Sequence, residues 1–350
     1  MTELFQAAVL TKTKDNLKIK KILIPEIKDD EILISLKYTF ICGTQKNEWL
    51  GLKGKDRFLP HLMGHEASGI IKKIGNKVKK FHVNEKIFVS WIPNKKSFSK
   101  ARKYFDEKGN IINSGPVSTF NQYSIFKEQN LYKSPKNIHF KYSAIFGCAF
   151  PTGVGLALQI NRKYNKSQND LVILYGIGGV GMISLMTLNY LGLNNIIVID
   201  KSLKNLKTAK KFNIKGAYTL EQFENKIYNQ IIDVNSIGYA IEATGNKLII
   251  EKAFKYLNAK GYCLIAGNPK KGLNIKINPY DIIFGKKIEG SIGGNISIER
   301  NINLFVSIFK KYKKEINQIF YAKEYNLSEI NLAMSDFNSG KIVRPLIKLY

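Results

Sequence analysis

Six residues near the middle of the chain, Gly176-Ile177-Gly178-Gly179-Val180-Gly181, constrain the surrounding segment more than any other feature. They follow Leu171–Tyr175, an apolar run of strand length, and open a helical pattern over Gly179–Leu191. A G-x-G-x-x-G turn in that context is a dinucleotide-binding fingerprint, because each missing side chain has a task. Gly176 permits the tight turn, Gly178 lets backbone approach a pyrophosphate, and Gly181 lets helix and strand pack closely. Phosphates then sit at the helix N-terminus, where free N–H groups and the helix dipole favour anions. Ile177, Gly179 and Val180 complete the cofactor turn. Asp200 closes the next strand pattern, Asn195–Asp200, 19 residues beyond Gly181, where an acid can bind both ribose hydroxyls. Its charge repels a 2′-phosphate, so NAD is expected rather than NADP; neighbouring Lys201 and Lys204 soften that preference without reversing it.

The periods on either side extend this picture. Ala7–Leu10, Glu31–Tyr38, Ala67–Ile74 and Lys86–Trp91 read as short strands broken by Gly, Asn and Pro. From about Pro151 strand and helix alternate, with helical character over Lys204–Phe212 and strands at Ala240–Ala243 and Tyr262–Ala266, which implies a parallel sheet covered on both faces. After Gly294 come one long amphipathic helix, Glu299–Lys313, a capped helix near Ser328–Asn338 and a terminal strand. At 350 residues the chain suits two domains. The expected class is α/β: a β-rich domain from 1–151 and 293–350, and a doubly wound dinucleotide-binding domain over 152–292.

Composition narrows the class further. A hydrophobic share of 44% with 23% charged residues describes a soluble globular protein, and no apolar run approaches the length that spans a bilayer. The first ten residues lack a secretory pattern, so a cytoplasmic protein is expected. Three cysteines, Cys42, Cys148 and Cys263, are too few and too odd for a disulfide framework. The net charge of +28 invites a nucleic-acid reading, yet only five of the 55 basic residues are arginine, the side chain suited to bidentate phosphate and base contacts. Abundant lysine, asparagine and isoleucine point instead to A/T-rich codons. Neither nucleic acid nor membrane is expected as a partner.

Cys42 in Ile41-Cys42-Gly43-Thr44, His65 in Gly64-His65-Glu66-x-x-Gly69, and Cys148 in Phe146-Gly147-Cys148-Ala149 offer two thiolates and one imidazole. That is the donor set of a catalytic zinc with an open position. They lie 23 and 83 residues apart, so spacing alone does not join them. Together with the glycine turn, Gly267-Asn268-Pro269, the segment Lys287–Gly294 and the closing Gly340-Lys341-Ile342-Val343-Arg344, they resemble the zinc-containing medium-chain alcohol dehydrogenases nearly end to end. The resemblance implies a GroES-like catalytic domain beside a Rossmann domain. It implies one catalytic zinc held by Cys42, His65 and Cys148, with Glu66 beside it as transient ligand or electrostatic tuner. Thr44 matches the hydroxyl that takes the alcohol proton, Arg344 a cofactor-phosphate contact, Gly267 and Asn268 the turn near the nicotinamide, and Trp91 a wall of the alcohol pocket. Zinc supplies a Lewis acid that acidifies the alcohol, and nicotinamide accepts the hydride. A homodimer or homotetramer acting on a small alcohol or carbonyl is implied.

Three departures stand out. Gln45 replaces an aspartate that hydrogen-bonds the zinc histidine in many members. Asn47 replaces a relay histidine. The segment Trp91–Phe120 is long enough for the structural-zinc lobe yet holds no cysteine, so no structural zinc is expected and the segment reads as a mobile loop held by packing and by its many polar residues. Lys53, Lys55 and Arg57 read as a solvated loop more readily than as an anion-binding mouth, and His61, His82 and His139 as structural or surface residues. The alternatives are a zinc-free reductase of the same superfamily, which lacks the Cys, His-Glu and Cys set, or a non-catalytic nucleotide-binding relative.

Overall fold

The computed structural model describes residues 3–94, 100–165 and 169–350. The chain forms two compact units: Met1–Cys148 with Ser297–Tyr350, and Ala149–Ile296. Each is built by a different hydrophobic period.

In the first unit, alternating apolar residues make strands with one buried face. Strands Leu4–Leu10, Ile32–Phe40, Glu66–Ile74 and Lys86–Ser90 sit where the sequence pattern puts them, with ends shifted by a few residues. Ile32–Phe40 pairs antiparallel with Glu66–Ile74, Tyr123–Phe126 and Leu346–Lys348, so the terminal strand closes a sheet begun near the N-terminus. The core beneath it gathers Ile34, Leu36, Ala67, Ile87, Phe120 and Ile347.

The segment expected as a loop held by packing and polar residues carries strands in its described part. Lys103–Phe105 and Ile111–Asn113 form an antiparallel hairpin, which His61–Leu62 ties to the sheet of Leu4–Leu10. The reason is apolar burial: Tyr104 and Ile112 pack with Phe5, Ala7, Val9, Ile22 and Leu62. Residues 95–99 lie outside the described part. The expected long helix is present as Ile298–Lys311, and a second helix that the sequence reading did not include, Lys313–Phe320, follows it across Tyr312 with φ −108° and ψ 25°. Lys310, Lys311, Lys313 and Lys314 would crowd one turn of an unbroken helix, and like charges at that spacing oppose it. The final helix, Ile330–Asn338, follows a short 3-10 turn at which Glu329 accepts from the Asn326 N–H at 2.8 Å.

In the second unit the four inner strands are mostly apolar runs, as a sheet covered on both faces requires. All pairings are parallel, and spatial order runs Gly216–Tyr218, Ile196–Ile199, Leu171–Tyr175, Ile237–Glu242, Tyr262–Ile265, Lys287–Gly290. In chain order that is 3-2-1-4-5-6, a Rossmann sheet. The order reverses between Leu171–Tyr175 and Ile237–Glu242, and ligands bind such sheets in the crevice beyond the carboxyl ends at that reversal.

Candidate active site

In the second unit, the glycine turn stands at the carboxyl end of Leu171–Tyr175, and Gly178 caps helix Gly179–Tyr190. A Cβ at Gly181 would stand 1.9 Å from the Gly176 carbonyl oxygen, so only glycine permits this approach of helix to turn. A Cβ at Gly178 would meet nothing within 4 Å, which leaves open space at the helix N-terminus for a phosphate. Asp200 lies just past strand Ile196–Ile199. Its carboxylate accepts from the Ile177 N–H at 2.8 Å and the Ser202 N–H at 2.7 Å. Each oxygen keeps capacity for a ribose hydroxyl. Lys201 is exposed beside it.

Sequence reasoning missed Glu242, the acid that ends Ile237–Glu242. It is fully buried and accepts from the Thr244 N–H at 2.6 Å, the Thr244 hydroxyl and the Gly245 N–H at 2.9 Å. Gly267 donates to the Glu242 carbonyl at 3.0 Å, and a Cβ on Gly267 would stand 2.0 Å from the Gly245 nitrogen. Glu242 thus ties together the loops after two neighbouring strands, Asn268 following directly. Burial pushes its carboxyl up, against the hydrogen bonds that favour the charged form. The available signal was an acid closing an otherwise apolar strand before Ala243-Thr244-Gly245.

In the first unit, three distant segments converge. Cys42 follows strand Ile32–Phe40 and caps the short helix Gly43–Trp49, which carries Thr44 in its first turn. His65 immediately precedes strand Glu66–Ile74. Cys148 follows the 3-10 turn Ala144–Gly147. That turn can press against the sheet because Gly147 has no side chain: a Cβ there would stand 2.2 Å from the Val89 carbonyl and 2.7 Å from Glu66 Cβ. The Ser90 hydroxyl donates to the Gly147 carbonyl at 2.6 Å and fixes the approach.

The ligand atoms of Cys42, His65 and Cys148 all lie within 4.8 Å of one another. Tetrahedral zinc with bonds of about 2.0 to 2.3 Å spaces its ligands roughly 3.3 to 3.8 Å apart, so a small closure suffices. Two further observations fit a metal. His65 Nε2 is buried without a hydrogen-bond partner, an expensive state for an imidazole nitrogen unless something occupies it. The Cys148 thiol donates toward Cys42 and, with Arg344 and His65 nearby, draws Cys42 well toward its thiolate; the same bond and burial hold Cys148 up as a thiol. Thiolates are the metal-binding form.

Among the described residues Glu66 is not in that cluster. It is fully buried, and one carboxylate oxygen accepts from Arg344 Nε at 3.1 Å and from Arg344 Nη2. Burial outweighs the attraction of Arg344 and pushes the Glu66 carboxyl up to about 7. Arg344, assigned by resemblance to cofactor phosphates, has a side chain only 4% exposed, and its observed partner is Glu66. The backbone carbonyl of Glu66 accepts from the Thr39 hydroxyl at 2.7 Å. The Trp91 ring lies 6.2 Å from the His65 ring, and its indole N–H is buried without a partner. Gln45, 2% exposed, reaches His65 Nδ1 at 2.8 Å. Lys53, Lys55 and Arg57 are exposed, while Asp56 between them accepts from His61 at 2.8 Å. His82 and His139 are exposed.

Residues 28–136 match the alcohol dehydrogenase GroES-like domain, and residues 179–308 match the zinc-binding dehydrogenase domain. An alcohol dehydrogenase-like 2 protein of Arabidopsis thaliana is 24% identical over 98% of this chain and 95% of its own length. The benzyl alcohol dehydrogenase of Acinetobacter calcoaceticus superposes with a TM-score of 0.86 at 24% identity, covering 99% of this chain and 100% of that one. A short chain alcohol dehydrogenase of E. coli CFT073, solved with cofactor NADH, superposes with a TM-score of 0.76 at 16% identity, covering 99% of each chain.

Proposed function

The chain belongs to the zinc-type medium-chain alcohol dehydrogenase family, and on that premise we propose an NAD(H)- and zinc-dependent dehydrogenase. It would transfer hydride between the cofactor and an alcohol, polyol or sugar hydroxyl, or the matching carbonyl. The observation that carries this reading is the convergence of Cys42, His65 and Cys148, with an unpartnered imidazole nitrogen and Cys42 drawn toward its thiolate.

Bound there, zinc supplies a Lewis acid for the substrate oxygen. The residues of the chain do the rest. Thr44, two positions past Cys42, is the hydroxyl assigned to receive the substrate proton. Glu66, with one carboxylate oxygen on Arg344, sets the charge beside the metal ligands or serves as a transient ligand through its other oxygen. Trp91, tilted against His65, bounds the pocket that the substrate carbon chain enters. In the nucleotide-binding unit, the helix N-terminus at Gly178 takes the pyrophosphate and Asp200 the adenine ribose. The NADH-bound E. coli neighbour supports a nicotinamide cofactor for this fold.

Preference for NAD over NADP rests on Asp200. An Asp200→Ala variant loses charge-assisted hydrogen bonds worth about 1.5 to 3 kcal/mol, so NADH binding weakens roughly tenfold to a hundredfold. Because Asp200 also holds the Ile177 N–H, some loosening of the turn affects both cofactors, and the ratio of NADH to NADPH affinity isolates the carboxylate. That ratio falls if the reading is right; an unchanged ratio removes the basis for NAD preference. The activity itself is tested by a spectrophotometric screen for NADH formation against alcohols, polyols, sugars and their phosphates, and the absence of any turnover would count against it.

A further inference from the structure

We propose that Gln45 is a positioning residue whose amide is mismatched to a metal-bound His65, so that this chain holds zinc less tightly than its ligand set allows. The proposal rests on the reading that Cys42, His65 and Cys148 bind zinc.

The side chain of Gln45 sits between two fixed groups. Its Oε1 accepts from the Cys42 backbone N–H at 3.1 Å, and its Nε2 lies 2.8 Å from His65 Nδ1. A backbone N–H can only donate, so the amide oxygen must face Cys42 and the amide N–H groups must face His65. His65 Nδ1 is therefore the acceptor, and the proton of the neutral ring is on Nε2. That is the buried nitrogen with no partner, which a metal would take.

Coordination through Nε2 needs its lone pair, so the ring proton must move to Nδ1. Two donors then face Gln45, the Cys42 N–H and the His65 Nδ1–H, and an amide offers one acceptor oxygen between them. The side chain is 2% exposed, so water is a poor substitute for the missing acceptor. Either the amide turns over and abandons the Cys42 N–H, or it stays and opposes the Nδ1–H. A carboxylate of the same length removes the conflict, because each of its oxygens takes one donor.

Gln45→Glu is the direct test, read as a zinc dissociation constant from competition with a chromogenic chelator. Partners of metal-bound histidines change metal affinity by about 10- to 100-fold, and zinc binding should tighten by that factor in the variant. A variant that binds zinc no more tightly than the unaltered chain overturns the proposal. A second measurement needs no substitution. Nitrogen NMR of the chain labelled on its four histidines should report the Nε2–H tautomer of His65 without zinc and the Nδ1–H tautomer with zinc. A Nδ1–H tautomer already present in the zinc-free protein also overturns it. If the unaltered chain binds no zinc at all, the zinc reading falls and takes the proposal with it. If both proteins bind zinc equally, only the role of Gln45 falls.

Discussion

A Cys148→Ala chain should lose its zinc and nearly all hydride transfer while binding NADH as before. The expectation follows from where Cys148 sits. It supplies one of the three donors that cluster among the described residues, and it is the thiol whose hydrogen bond draws Cys42 toward the thiolate. Alanine removes a ligand and that support together, leaving a thiol and an imidazole, too few for a structural hold on zinc. A Lewis acid contributes several kcal/mol of charge stabilisation in the transition state. At about 1.4 kcal/mol per tenfold, a loss of about 4 kcal/mol lowers the rate roughly 1000-fold. The cofactor turn, Asp200 and Glu242 belong to the other compact unit, so NADH affinity should hold. Metal analysis and NADH fluorescence titration read the two halves separately. Normal turnover by this variant would show that the three residues do not form the catalytic metal site.

The reverse separation is expected for Gly181→Ala. The added methyl would stand 1.9 Å from the Gly176 carbonyl oxygen, a backbone atom that cannot swing aside as a side chain would. Relieving the contact must move the helix Gly179–Tyr190 or the turn itself, and overpacking of this kind costs about 1 to 3 kcal/mol or more. The same displacement spoils the N–H groups aimed at the pyrophosphate. NADH binding should weaken by at least about 100-fold, equivalent to roughly 2.7 kcal/mol, with zinc content unchanged. A variant that binds NADH normally would remove the turn from the cofactor site.

These two sites were unequally legible in the amino-acid sequence. The cofactor turn is local: strand, three glycines, helix and a distant acid fall within one short stretch, and the periods of 2 and 3.6 mark each piece. The metal ligands carry no such signature. Cys42, His65 and Cys148 meet only because strand Ile32–Phe40 pairs with Glu66–Ile74 and Gly147 lets a turn lie against that sheet, contacts between residues far apart in the chain. Family resemblance joined them where spacing could not. Glu242 was missed for a related reason: an acid ending an apolar strand reads as a boundary, and only the fold shows three donors converging on it. The hairpin at Lys103–Phe105 and Ile111–Asn113 escaped because its strands are three residues each, too short for a period to emerge. Its burial depends on Phe5 and Ile22, which the local sequence does not contain.

The most direct test of the central claim joins metal to chemistry in one protein. Purified chain is assayed for NADH formation with an alcohol identified by the screen, first as isolated, then after chelation, then after zinc is restored. The prediction is turnover that disappears with the metal and returns with it, NADH binding remaining throughout. Undiminished turnover by protein shown to be zinc-free would contradict it.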